Sequence, residues 1–288
     1  MPKYLSAVVL LFALYLNSVF AVAQVQIVVS IKPLQLITEA LMGGAGSITT
    51  LSTGDMSPHH FSLTPSDRIA IETADLVIYV GEELETQLHD ILARVKPASQ
   101  VLRVLSIEGL KRLPLAEHGR HSGSVNQGRY DPHVWLSPEN SSQIALTIAA
   151  RLAAIDSLRA DKYRTGATQL GNDLQEHEVT WRQQMSQVSG KPYIVYHDAF
   201  AYLEEFFGLN HALALVVDPE VQPGIRRVLE VRAAIGDLQP ACLLTEVTAN
   251  QATIDTMLSD YSLAVSNLDI LGRNLTAGQG FVELMDNV

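Results

Sequence analysis

The chain has 288 residues, 47% of them hydrophobic and 18% charged, a composition that folds into one large domain or two lobes and excludes a peptide or a largely disordered chain. Its 20 Lys and Arg against 31 Asp and Glu give a formal charge of -11, the wrong sign for a nucleic-acid partner. The single cysteine, Cys242, excludes an internal disulfide and a thiolate cage, so any metal site must be built from histidines and carboxylates.

Lys3, an apolar run of about 13 residues from Tyr4 to Leu16 and the small-residue end Ala21-Val22-Ala23 have the layout of a secretory signal peptide. The run falls short of the roughly 20 residues that span a bilayer. Residues 1–23 are therefore read as a cleaved signal peptide, and the mature chain begins at Gln24, outside the cytoplasm. From Gln26 onward, short β-branched runs alternate with helical patterns, which predicts repeated βα units and mainly parallel sheets. The first-half strands are expected at Gln26–Ile31, Ile48–Leu51, Leu76–Val80 and Val101–Leu105. Pro33 opens a helix that Gly43-Gly44 closes, and Pro65-Ser66-Asp67 opens another running towards Ala74. The polar, Gly- and Ser-rich stretch from Leu115 to Tyr130 has nothing to bury and is expected to be a mobile loop.

Tyr163, Ala167, Leu170, Leu174, Trp181, Met185 and Val188 fall on one helical stripe, predicting a long helix over Ser157–Ser189 that would reach roughly 50 Å. Gly166 and Gly171, each costing about 1 kcal/mol in a helix interior, leave a break near Gly171 as the alternative. The second half repeats the strand pattern at Tyr193–Tyr196, Leu213–Val217, Cys242–Glu246 and Leu263–Leu268. The fold class is α/β: two lobes, residues 24–156 and 190–288, each with a mainly parallel four-stranded sheet flanked by helices, joined by a long connecting helix over 157–189.

Of nine histidines, His89, His177 and His211 read as ordinary surface or core residues. His59 follows the second strand, His133 sits in Asp131-Pro132-His133 just before a helix, and His197 ends the strand Tyr193–Tyr196. Ligands of open α/β sheets bind beyond the carboxyl ends of the strands, which is where His59, His197 and Asp269 stand. Three neutral imidazoles and one carboxylate make a tetrahedral set suited to Zn2+, with Zn–N bonds of about 2.0 to 2.1 Å. Asp269 has two other readings, a helix cap or a partner that orients His197.

Four blocks then carry a family resemblance: Pro58-His59-His60-Phe61-Ser62-Leu63-Thr64-Pro65-Ser66-Asp67, Asp131-Pro132-His133-Val134-Trp135-Leu136-Ser137-Pro138, His197-Asp198-Ala199-Phe200 and Leu268-Asp269-Ile270-Leu271-Gly272. In this order, over essentially the whole mature chain, they resemble the metal-binding proteins of zinc and manganese ABC importers, nearest to the periplasmic zinc-binding type. The resemblance implies a periplasmic monomer with two α/β lobes, a long helix between them and one metal ion in the cleft. It places the first ligand on His59 rather than His60, the next two on His133 and His197, and the fourth on Asp269, a position that water fills in some relatives. Manganese-type members tend to carry Glu where this chain has His197, which favours zinc. Pro58 stands where some zinc-type members have an additional glutamate ligand. Glu117-His118-Gly119-Arg120-His121 is a short counterpart of their long His-rich loop, with a weak second site at His118 and His121 left open. Relatives can pair the cysteine of the Cys242 strand with a second one that is missing here, so Cys242 is expected to be a buried apolar residue.

The implied function is that of a non-enzymatic solute-binding protein, which captures Zn2+ as cargo and delivers it to the transmembrane subunit of an ABC permease. Manganese or another divalent ion is the alternative within this class. A zinc hydrolase with Glu246 as general base is an alternative outside it, although the ligand blocks contain no HExxH pairing. An adhesin or structural exoprotein is the third reading.

Overall fold

The computed structural model describes residues 24–53, 57–60, 62–115, 130–188, 190–219 and 221–288. The proposed signal peptide, and His118 and His121, lie outside them. The first half runs β1 (Val25–Ile31), α1 (Lys32–Met42), β2 (Gly46–Ser52), α2 (Pro65–Thr73), β3 (Leu76–Tyr79), α3 (Thr86–Val95) and β4 (Val101–Arg103), with all four strands parallel in the order β2-β1-β3-β4. β1 is apolar along most of its length because, as an inner strand, it is covered on both faces: Ile27, Val29 and Ile31 enter one core and Val28 another.

Local chemistry sets the helix limits. Pro33 lies in the first turn of α1, and Gly43 closes it at φ 49°, a left-handed conformation that a Cβ disfavours. Thr64 and Asp67 cap α2 reciprocally: Thr64 Oγ1 accepts the Asp67 amide at 3.2 Å and Asp67 Oδ2 accepts the Thr64 amide at 2.8 Å.

The halves are joined by α4 (Pro138–Ile155) and the long helix α5 (Ala160–Met185). α5 is continuous through Gly166 and Gly171, but it is shorter than the expected Ser157–Ser189: 26 residues, about 39 Å. At its start, Asp156 Oδ2 accepts bonds from Arg159 Nη1 at 2.6 Å and Tyr163 Oη at 2.8 Å, beside a 3-10 turn over Ser157–Arg159. At its end the apolar stripe loses its cover, since Trp181 is buried but Val188 is exposed. The helix packs on α1 and α4 and reaches the second half through Trp181 Nε1, which donates to Asp286 Oδ1 at 2.8 Å, and through Arg182, which lies over the Phe206 ring.

The second half contains β5 (Ile194–Val195), α6 (Ala201–Phe207), β6 (Leu213–Ala214), α7 (Ile225–Leu238), β7 (Cys242–Glu246), α8 (Gln251–Leu258), β8 (Ala264–Leu268) and α9 (Phe281–Asp286), and its parallel strand order, β6-β5-β7-β8, repeats that of the first. β5 and β6 are shorter than expected, yet the amides of Tyr196 and Val216 still bond to Leu244 O and Tyr196 O. Cys242 is half-buried, not buried as expected, because it opens β7 where the strand emerges from the core.

The largest core crosses from one sheet to the other. It holds Val29, Leu34 and Trp135 from the first half and Val195, Tyr202 and Ile270 from the second, and α9 returns to pack Phe281 and Leu284 into it beside α1. Separate clusters cover the outer faces, one around Val28, Ile71 and Leu88, the other around Ile194, Val231 and Leu243. No helix among the described residues is long and apolar enough to cross a membrane.

The two helix glycines differ in kind. A Cβ on Gly166 would stand 2.8 Å from both Ala40 O and Leu41 Cα of α1, whereas one on Gly171 would meet only Ser142 at an ordinary 3.6 Å. Gly166→Ala should therefore destabilise the fold by about 1–3 kcal/mol through overpacking. Gly171→Ala should stabilise it by up to about 1 kcal/mol through helix propensity. Denaturant unfolding of the two variants reads both signs.

Candidate metal centre

The carboxyl ends of both sheets face one cleft. His59 lies on the 3-10 turn Pro58–His60 that follows β2, and its amide reaches Ser57 Oγ at 3.4 Å. His133 precedes the 3-10 turn Val134–Leu136, which leads to Ser137; the Ser137 side chain caps α4 by accepting the Asn140 amide. His197 follows β5, and Asp269 follows β8. Each of the three histidines offers one ring nitrogen, and these nitrogens lie within 4.8 Å of one another. Their ring centroids are 5.4 to 5.9 Å apart. A tetrahedral ion sets its donors roughly 3.4 Å apart, so small side-chain adjustments bring the three nitrogens onto one ion.

Two of the imidazoles are oriented from behind. Asp131 Oδ1 accepts both the His133 amide and His133 Nδ1, each at 2.8 Å. Glu246 Oε1 accepts His197 Nδ1 at 2.5 Å. Because an ionised carboxylate only accepts, these contacts place the proton on Nδ1 and leave the Nε2 lone pair for a metal. His197 Nε2 is buried with no hydrogen-bond partner among the described residues, an arrangement that costs about 1–3 kcal/mol unless something occupies the cleft. The chain folds this way because β7 lies next to β5: Glu246, the last residue of β7, stands beside His197 at the point where the strand order reverses.

Burial is the largest influence on the His197 pKa and acts to lower it. The charge and hydrogen bond of Glu246, with the charges of Asp131 and Asp198, outweigh burial and leave the pKa raised above the ordinary imidazole value.

Asp269 lines the same cavity as the three histidines but is not among the mutually close donors. Its two oxygens accept the amides of Arg273 at 2.8 Å and Asn274 at 2.6 Å, which folds the loop after β8 around the carboxylate. Each oxygen keeps a further lone pair for a cation. The alternative in which Asp269 orients His197 is not what the structure has, since Glu246 holds that place. Glu246 in turn is 5% exposed and engaged by the imidazole. The orienting roles of Asp131 and Glu246 were missed in the sequence, although Asp131-Pro132-His133 offered a local signal for the first. Outside the site, His89 bonds to Tyr79, His177 to the Asp173 carbonyl and His211 to Glu204.

The family model described as zinc-uptake complex component A, periplasmic, matches residues 27–288. The chain belongs to this family. Among its relatives, the high-affinity zinc uptake system protein ZnuA of Yersinia pestis is 29% identical over 95% of this chain and 91% of its own length. The protein of the same name from Brucella abortus is 29% identical over 88% of this chain and 85% of its own. The crystal structure of AdcAII from Streptococcus pneumoniae superposes with a TM-score of 0.76 over 93% of this chain and 97% of its own; at 23% identity that likeness concerns the fold.

The raised His197 pKa has a defined sign for the metal-free protein. The stability that His197 gains from Glu246 is fully present below the unfolded value of about 6.5 and is lost as pH rises through the higher folded value. The Tm of the metal-free protein should lose this increment on the alkaline side, and Glu246→Gln should abolish that part of the profile. The variant is needed because His211, raised in the same direction beside Glu204, adds a slope of the same sign. Melting curves between about pH 5.5 and 8.5, spanning the ordinary imidazole pKa, check this.

Proposed function

We propose that this chain captures Zn2+ in the periplasm with His59, His133, His197 and Asp269 and delivers it, as a monomer and without catalysis, to the transmembrane subunit of an ABC permease. Residues 1–23 serve as the cleaved signal peptide, and 24–156 and 190–288 act as the lobes on either side of the linking segment 157–189. One observation carries the reading: three histidines converge from separate loops, and buried carboxylates fix the tautomers of two of them. This arrangement of carboxylate behind imidazole suits a nitrogen-binding ion. Three imidazoles favour zinc over manganese, whose preferred ligands are oxygens. Asp269 completes the set through its remaining lone pairs, with water as the other occupant of that position.

The size of the cleft argues against the hydrolase alternative. The cavity among the ligands is about 20 Å3, room for one water-sized occupant, whereas sites for organic ligands run to about 300–1,000 Å3. Glu246, the carboxylate that could have served as a base, is committed to His197.

The test is metal analysis of the protein isolated from its native compartment, followed by competition titration with a chelator. His59→Ala, His133→Ala and His197→Ala should each weaken zinc binding beyond the roughly 10- to 100-fold typical of an outer partner, whereas His60→Ala should have little effect. Tight binding that survives His59→Ala but not His60→Ala would reverse that assignment.

Zinc affinity should also fall on acidification, because every imidazole must shed its proton to bind, and with His197 raised the loss begins above the ordinary value of about 6.5. Titration across about pH 8 to 5.5 measures it; a flat profile would remove the histidines as principal ligands.

A further inference from the structure

Two buried aromatic side chains tie the halves of the site to each other. Trp135 stands two residues after His133, and its indole Nε1 donates across to Ile270 O at 2.9 Å, next to Asp269. Tyr202, on α6 in the other half, donates its hydroxyl to Asp131 O at 3.1 Å and accepts the Leu113 amide at 3.0 Å. Asp131 is the residue whose carboxylate holds both the amide and the ring of His133. The ties are reciprocal: a side chain from the first half fastens the Asp269 loop, and one from the second half fastens the segment that bears His133. Both rings are completely buried in the core shared by the two sheets, and neither side chain is an expected metal ligand.

We propose that Trp135 and Tyr202 are positioning residues whose cross-cleft hydrogen bonds hold the two half-sites in register and thereby set how slowly the bound ion leaves. The proposal rests on the zinc-binding reading above. A ligand set contributed by two halves is only as well formed as the alignment between them, since a metal bond tolerates an error of a few tenths of an ångström. The indole bond fixes the Asp269 loop relative to the His133 turn, and the phenol bond fixes the backbone of Asp131. With both made, the ion enters a site already aligned; with either broken, one ligand loop can drift and release the ion by steps.

The test removes the polar atoms and keeps the rings. Trp135→Phe and Tyr202→Phe are compared with Trp181→Phe, which deletes an indole bond of the same kind, to Asp286, in the same core but away from the ligands. For Trp135, a benzothienylalanine replacement that exchanges N–H for sulfur preserves ring size should the Phe variant fold poorly. Three quantities are read: Tm of the metal-free protein, zinc dissociation into excess chelator, and the visible spectrum of the Co2+-loaded protein, which reports ligand geometry. The expected result is dissociation faster by about tenfold or more in the variants at 135 and 202, with an altered Co2+ spectrum, the range seen when an outer partner of a ligand is lost. Trp181→Phe should lower Tm while leaving dissociation and spectrum as in the wild type. The proposal is overturned if wild type binds zinc tightly and the variants at 135 and 202 lose only Tm, as Trp181→Phe does. A wild-type protein that binds no zinc is a separate failure, visible in the control arm, that removes the function and the proposal together.

Discussion

Trp135, Tyr202 and Ile270 share one apolar core with Val29 and Leu34, so the two sheets cannot part without exposing aromatic and aliphatic surface that is now dry. Burial is worth about 25 cal/mol per Å2, and aromatic rings contribute about 150–250 Å2 each, so separating even a few of these side chains costs several kcal/mol. The long helix adds to this constraint without creating it: α5 lies against α1 and α4 and touches the second half near Trp181 and Arg182. The cleft is therefore a seam in a nearly continuous interior, which is why loops beyond the strand ends can present nitrogens within a few ångströms of one another before any ion arrives.

Within that seam, electrostatics favours a cation. Asp131 and Glu246 are 2% and 5% exposed, and a carboxylate so buried is tolerated because an imidazole N–H, and for Asp131 a backbone amide as well, donates to it. The same bonds serve the site, since each negative charge behind a ring raises the basicity of the nitrogen facing the cleft. Asp269 joins Glu246 in the cavity wall, and the formal charge of -11 over the whole chain gives a field of the matching sign for approach.

Much of this was legible in the sequence where the signal is local. The β-branched runs marked all eight strands, Pro33 and Gly43-Gly44 bracketed α1, and the His59, His133, His197 and Asp269 blocks stand at strand ends or helix entrances because those are the places where a chain turns over a sheet. What was not legible depends on neighbours far along the chain. Glu246 orients His197 from 49 residues away because β7 pairs with β5, a consequence of the crossover order rather than of spacing. The overlong reading of the central helix has a similar origin: Val188 continues the apolar stripe in sequence, but the described residues leave it exposed.

The three imidazoles differ in exposure, and the difference bears on how an ion is exchanged. His133 and His197 are 3% and 6% exposed and are fixed through Nδ1 by buried carboxylates, whereas His59 is half-buried on a three-residue turn whose amide contact to Ser57 is long, 3.4 Å. Of the three imidazoles, His59 is therefore the one that solvent reaches most readily. A closed interior and an exchangeable ion are compatible in this fold because the proposed ligand most open to solvent, His59, stands on a short turn, while His133 and His197 are buried.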